Sequence, residues 1–114
     1  MTAFTQTQVS AIVDEARTAA RQAARKWFKE QMNGRDSLPC GFAWVRILGV
    51  KGNTKLGRQL KQAGVEQNWN REFEIWNPGE MPVQNVDAHS AGAHAAAEVF
   101  SKYGFVAYAG SRLD

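Results

Sequence analysis

The chain has 114 residues, 44% of them hydrophobic and 22% charged, which suits a single domain over residues 1–114 and excludes wholesale disorder. Its one cysteine, Cys40, excludes an internal disulfide framework and a multi-cysteine zinc site, and no apolar run reaches the roughly 18 residues that a membrane span needs. The net charge of +3 hides an asymmetry: eleven of the fourteen Lys and Arg lie between Arg17 and Lys61, opposed there only by Glu30 and Asp36, while residues 66–114 are net acidic.

Residues 7–32 have the period of a long helix. Val9, Val13, Ala16, Ala20, Ala23 and Trp27 recur at steps of four and three, and Asn33-Gly34 supplies a stop. A helix of about 26 residues is about 39 Å long, more than the diameter of a small domain, so its amino-terminal half is expected to overhang a compact 41–114 body or pack on a partner. Its alanine seam has a natural mate in the helix predicted over 86–103, where Gly92, Ala96, Val99 and Tyr103 form a stripe. Whether the two meet within one chain or between two copies stays open.

The first strand candidate is GFAWVRILG at 41–49, after a turn at Leu38-Pro39-Cys40-Gly41. Ala43, Val45 and Ile47 alternate there with Phe42, Trp44, Arg46 and Leu48. A turn follows, with Asn53 or Thr54 as cap, and then a short helix with Leu56, Leu60 and Ala63 inward. In REFEIW at 71–76, Phe73 and Ile75 oppose Glu72, Glu74 and Trp76; Asn77-Pro78-Gly79 suits a type II turn. Gly104 suits the end of the last helix, and FVAYA at 105–109 closes the chain. The order is αβαβαβ, and each strand-to-strand connection exceeds 20 residues and holds a helix. The expected class is α+β, with three helices and one small three-stranded sheet, largely parallel or mixed.

The stretch GVKGNTKLGRQLK at 49–61 is the most informative. Lys51 and Lys55 sit near a helix amino terminus, where the macrodipole disfavours cations by about 0.3 to 1 kcal/mol each. None of Lys51, Lys55, Arg58 or Lys61 has an acidic residue three or four positions away to pair with. A bound anion would resolve the mismatch, since the N–H groups of a helix start favour one. The glycine spacing excludes a P-loop, and Gly-x-Gly-x-x-Gly does not occur. Ile47 to Gly52 followed by an amphipathic helix resembles the Gly-x-x-Gly loop of KH modules, which clamps a sugar-phosphate backbone. Here a strand rather than a helix precedes the glycines, and Leu56 comes one residue late.

Trp44, Arg46 and Trp76 face away from Ala43, Val45 and Ile47. An open face of this kind could stack unpaired bases. The expectation is instead that the long helix covers it through Trp27 and Phe28, with Arg46 finding Glu72 or Glu74 as its cross-strand partner.

Asp87, Ser90 and His94 share a helix start, but Ser90 lacks a nucleophile elbow, and His89 and His94 are five apart, the wrong step for a zinc pair. Asp87 reads as a helix cap and Cys40 as a small core residue. No catalytic residue, metal or cofactor is expected.

GFAWV at 41–45, KLGRQLK at 55–61, IWNPG at 75–79 and YAGSRLD at 108–114 together resemble a group of short, uncharacterised proteins of tailed bacteriophages. That resemblance implies a phage accessory product acting in a bacterial cytoplasm and carries no activity or site. MTAFTQTQVSAIVDEA lacks the features of a signal peptide, which agrees with a cytoplasmic place. The expected function is non-enzymatic: contact with a polyanion, most concretely a nucleic-acid backbone, through Lys51, Asn53, Lys55, Arg58 and Lys61. Trp44 and Arg46 would stand beside them, and Arg21, Arg25 and Lys29 would extend the patch. The alternative is a protein-interaction module, a homodimer or an inhibitor of a host protein, acting through the alanine-rich helix.

Overall fold

A computed structural model describes residues 3–32, with Met32 for its backbone alone, and 39–113. The predicted stop at Asn33-Gly34, and Leu38 of the predicted turn, lie outside the described residues. The elements in order are α1 (Gln6–Met32), β1 (Gly41–Leu48), α2 (Lys55–Gln62), β2 (Glu66–Gln67), β3 (Phe73–Trp76), α3 (Val86–Lys102) and β4 (Val106–Leu113).

The class is α+β with three helices, as expected, but the sheet has four strands in the order β2-β3-β1-β4, and every neighbouring pair is antiparallel. The expected three-stranded, parallel or mixed sheet is corrected for a simple reason. A helical crossover joins strands that run the same way, and β1 and β2 do so, as do β3 and β4. In each case another strand lies between the two: β3 between β1 and β2, β1 between β3 and β4. The two-residue β2, too short to show a period, returns directly into β3 as a hairpin. From β1 onward, β-α-β-β-α-β is the order of the split βαβ motif.

All three helices contribute to one core on the Ala43, Val45 and Ile47 side of the sheet. Val9, Ile12, Val13, Ala16 and Ala20 of α1, Leu60 of α2, and Ala96, Ala97 and Phe100 of α3 close over Val45, Ile47, Phe73 and Ile75. The alanine seams therefore meet within one chain. α1 docks by its amino-terminal half, the reverse of the expected overhang: the buried positions run from Val9 to Ala24, and residues 25–31 are exposed or half-buried. The larger buried side chains of α1, Val9, Ile12 and Val13, lie in that first half, and Phe4 stacks on Phe105 with ring centroids 5.8 Å apart. Gln59, itself buried, donates through Nε2 to the Phe4 carbonyl at 2.7 Å, while Gln6 donates to the Gln59 carbonyl at 3.0 Å. Since α1 lies with α2 and α3, the expected cover over Trp44 and Trp76 does not form.

Candidate nucleic-acid interface

The face of the sheet away from the helices, which no element among the described residues covers, is aromatic. Trp44 of β1 pairs in register with Trp76 of β3, and their ring centroids are 5.1 Å apart; Phe42 meets Trp76 edge-on at 6.0 Å. Two guanidinium groups lie against this row, Arg46 at 5.7 Å from the Trp44 ring and Arg112 at 5.7 Å from the Phe42 ring, within cation–π range. On the other side Trp44 faces Gly110 of β4, where an added Cβ would stand 2.6 Å from the indole nitrogen. The glycine is what lets the indole lie down on the neighbouring strand. The Trp44 Nε1 is buried there without a hydrogen-bond partner, a state that costs about 1–3 kcal/mol. Trp76 is 48% exposed and Tyr108, opposite Arg46, 43% exposed.

Arg46 finds the cross-strand partner that the sequence suggested. Its Nη2 is 3.0 Å from Glu74 Oε2, and its Nε is 3.8 Å from Glu72 Oε1. Burial pulls the guanidinium down, while its bonds to Glu74 and Tyr108 outweigh this and hold it above its usual value. Glu74 also accepts from Trp76 Nε1 at 2.7 Å, so one buried carboxylate fixes both a cation and a ring. Arg46 is thus part of the platform, and Arg112 is the guanidinium on this face without an ion pair among the described residues.

The basic turn is tightly built. Thr54, not Asn53, is the cap of α2: its hydroxyl accepts from Gly57 N at 3.0 Å and donates to the Lys51 carbonyl at 2.6 Å. Gly57 is required, because a Cβ there would sit 2.1 Å from the Lys51 carbonyl oxygen. Arg58 turns back to donate to the Asn53 carbonyl at 2.6 Å. Lys51, Asn53 and Lys61 line a cleft of about 680 Å³ with Gln67, Asn70 and Arg71 of the β2–β3 hairpin; Lys55 and Arg58 do not line it. Among the described residues no ion pair involves Lys51, Lys55, Arg58, Lys61 or Arg71, so the charge mismatch seen in the sequence persists in the folded chain.

The hairpin joins this cleft to the aromatic side. Asn68 Oδ1 accepts from the backbone of Asn70 and Glu72, at 2.8 and 3.0 Å, and so holds the tip. Trp69 stands on that tip and is 90% exposed. A second cleft, of about 540 Å³, runs from Trp69 to Trp76 along β3 and shares Gln67 with the basic one. Phe42, Trp69, Arg71, Tyr108 and Arg112 were absent from the expected site. Trp69 had a legible signal, lying between two turn-forming asparagines in a polar run. Arg21, expected to extend the patch, is paired with Glu80 at 2.8 Å; neither Arg25 nor Lys29 lines a cleft described here.

The Asp87, Ser90 and His94 cluster does not assemble. Asn85 caps α3, its Oδ1 accepting from Ala88 N at 3.0 Å, which corrects the assignment of the cap to Asp87. Asp87 and His94 are exposed, and no hydrogen bond joins the three side chains among the described residues. His89 is the buried one: its ring nitrogens lie 2.9 Å from Asn77 Oδ1 and 2.7 Å from the Val83 carbonyl, which pins the loop between β3 and α3. Cys40 is half-buried rather than in the core, and its thiol donates to Gln84 Oε1 at 3.3 Å. Among the described residues no three His, Cys, Asp or Glu side chains gather as metal ligands, and no helix is long and apolar enough to cross a membrane.

Comparison with protein-family models, with curated proteins and with solved structures found no match.

Proposed function

We propose that the protein is a non-enzymatic binding protein for single-stranded nucleic acid, of the phage accessory type and acting in the bacterial cytoplasm. The carrying observation is the sheet face that no described element covers, on which Trp76 touches both Phe42 and Trp44 between Arg46 and Arg112. Flat aromatic surface held beside cations suits unpaired bases, and each stacked base contributes about 1–3 kcal/mol. The cleft of Lys51, Lys61 and Arg71 supplies unpaired cations for the phosphates, and Trp69 shares a second cleft with Trp76 of the platform. Duplex, with its bases stacked on one another, would offer no free base face to such a surface.

The competing protein-interaction reading has less surface to work with. The alanine seam of α1 is filled by α3, which leaves it the exposed carboxyl-terminal turns around Trp27 and Phe28.

The test is fluorescence anisotropy with a labelled single strand of about 12 nucleotides, titrated over a range of salt. Binding is expected to favour the single strand over the matching duplex and to weaken steeply with salt. Lys51→Glu with Lys61→Glu is expected to reduce the salt slope by roughly 1 to 1.5. No binding at low salt, or binding indifferent to salt, would sink the proposal.

A further inference from the structure

The two edges of the sheet are treated in opposite ways. At one edge β2 has two residues, one of them Glu66, and gives way at once to the hairpin tip. At the other, β4 runs for eight residues, paired with β1 along its whole length on its inner side and with no strand on its outer side among the described residues. It contains no proline and no lysine, and Arg112 is its one charge. Val106 and Leu113 are 62% and 66% exposed. A long, regular, nearly neutral edge is a template for another strand, and proteins that must avoid this shorten, charge or bend their edges. This protein does so on one side only.

We propose that β4 pairs antiparallel with β4 of a second copy, making one eight-stranded sheet across a two-fold axis. The backbone directions allow it. Asn77 N donates to the Ala43 carbonyl, so Ala43, Val45 and Ile47 turn their peptide groups towards β3, and Trp44 and Arg46 turn theirs towards β4. The facing residues Gly110 and Tyr108 are spent on β1, which leaves the peptide groups of Ala107, Ala109 and Ser111 directed outward.

The side chains fit a two-fold axis at Ala109. On the helix side Ala107 then meets Ser111 of the second copy, and Ala109 meets its equivalent, so nothing bulky stands at the axis. On the open side Tyr108 comes opposite Gly110, and Arg112 comes opposite Val106 rather than opposite its own equivalent. The single charge of the strand is thus kept off the axis. Beside β4, a trough of about 390 Å³ lined by His94, Ala97, Glu98 and Ser101 of α3, with Ala107 and Ala109, leaves room for the α3 flank of the second copy. An isologous pairing of this kind closes on itself, whereas a foreign strand would meet no such symmetry. The pairing also makes the two aromatic faces continuous, although it does not depend on what they bind.

Sedimentation equilibrium of the whole chain tests this. The expected mass is twice the 12.6 kDa of one chain at micromolar concentration. Ala109→Pro removes an outward N–H and leaves the β1 pairing intact, as prolines on edge strands do; Ala109→Lys sets two like charges at the axis. Either variant, when its circular dichroism matches the parent, is expected to sediment as a monomer. A parent that stays monomeric at all concentrations overturns the proposal, and so do a series of larger open-ended species or a dimer that survives in whichever variant folds.

Discussion

On β1, Ala43, Val45 and Ile47 are at most 1% exposed, while Phe42, next to Ala43, is 40% exposed and rests against Trp76. The same strand therefore feeds two unlike surfaces. Its inner residues are held by three helices and contribute to stability as any core does. Its outer residues are held by one another: by the Trp44–Trp76 contact, by the bare surface of Gly110, and by Glu74 reaching both Arg46 and Trp76. Aromatic area kept in place without a covering layer adds little to folding. That difference is why the outer face, rather than the more conspicuous basic turn alone, carries the functional reading.

The sharpest way to separate the two faces is to truncate one ring on each. Phe73→Ala on the inner face, where Phe73 is fully buried, is expected to cost about 3–5 kcal/mol in denaturant unfolding and to affect binding only through loss of folded protein. Trp76→Ala on the outer face is expected to change the melting temperature little and to weaken single-strand binding by about 1–3 kcal/mol, read by anisotropy. Gly110→Ala tests whether the platform depends on its floor. The added methyl group displaces the Trp44 indole, with an expected cost of about 1–3 kcal/mol in stability and a shift in tryptophan fluorescence. An unchanged emission spectrum would show that the indole does not lie where the contact places it.

The smallest effect is expected on the helix layer, where Glu15 of α1 bonds Lys102 and accepts from Tyr103 Oη at 2.5 Å. Lys102 first, and then Tyr103, hold the Glu15 carboxyl below its ordinary range. A depressed carboxyl stabilises the fold at pH values above its unfolded pKa, and that contribution is lost as the pH falls through the folded one. Glu15→Gln is therefore expected to lower the melting temperature slightly at neutral pH, with the difference vanishing in acid. A difference that grew in acid would reverse the assignment.

Much of the local structure was legible in the residues. The 3.6-residue period of α1, the alternation along β1, Gly104 after α3 and the pairing of Arg46 with Glu74 all follow from rules that act over a few positions. The isolation of the Lys51, Lys55, Arg58 and Lys61 cations was legible too, because ion pairs at helical spacing are visible in a linear chain. The outer face was harder. Whether Trp44 and Trp76 were covered depended on which side of the sheet α1 chose, and both tryptophans are as apolar as any core residue. Arg71 joined the basic cleft, and Trp69 the second one, only because β2, two residues long, leads straight into a hairpin that sets Arg71 beside Lys51 and Lys61 and Trp69 beside the cleft that reaches Trp76.

The sequence by itself determined the helices, the two-sided pattern of β1 and the charge imbalance, since propensity, period and charge are properties of neighbours along the chain. Tertiary structure alone decided that the strands all run antiparallel to their neighbours, that the alanine seams meet within one chain and that all three helices lie on one face of the sheet. Each of these depends on which surfaces bury each other. Crossover rules fix the relative direction of the strands they connect, but not which strand comes to lie between them.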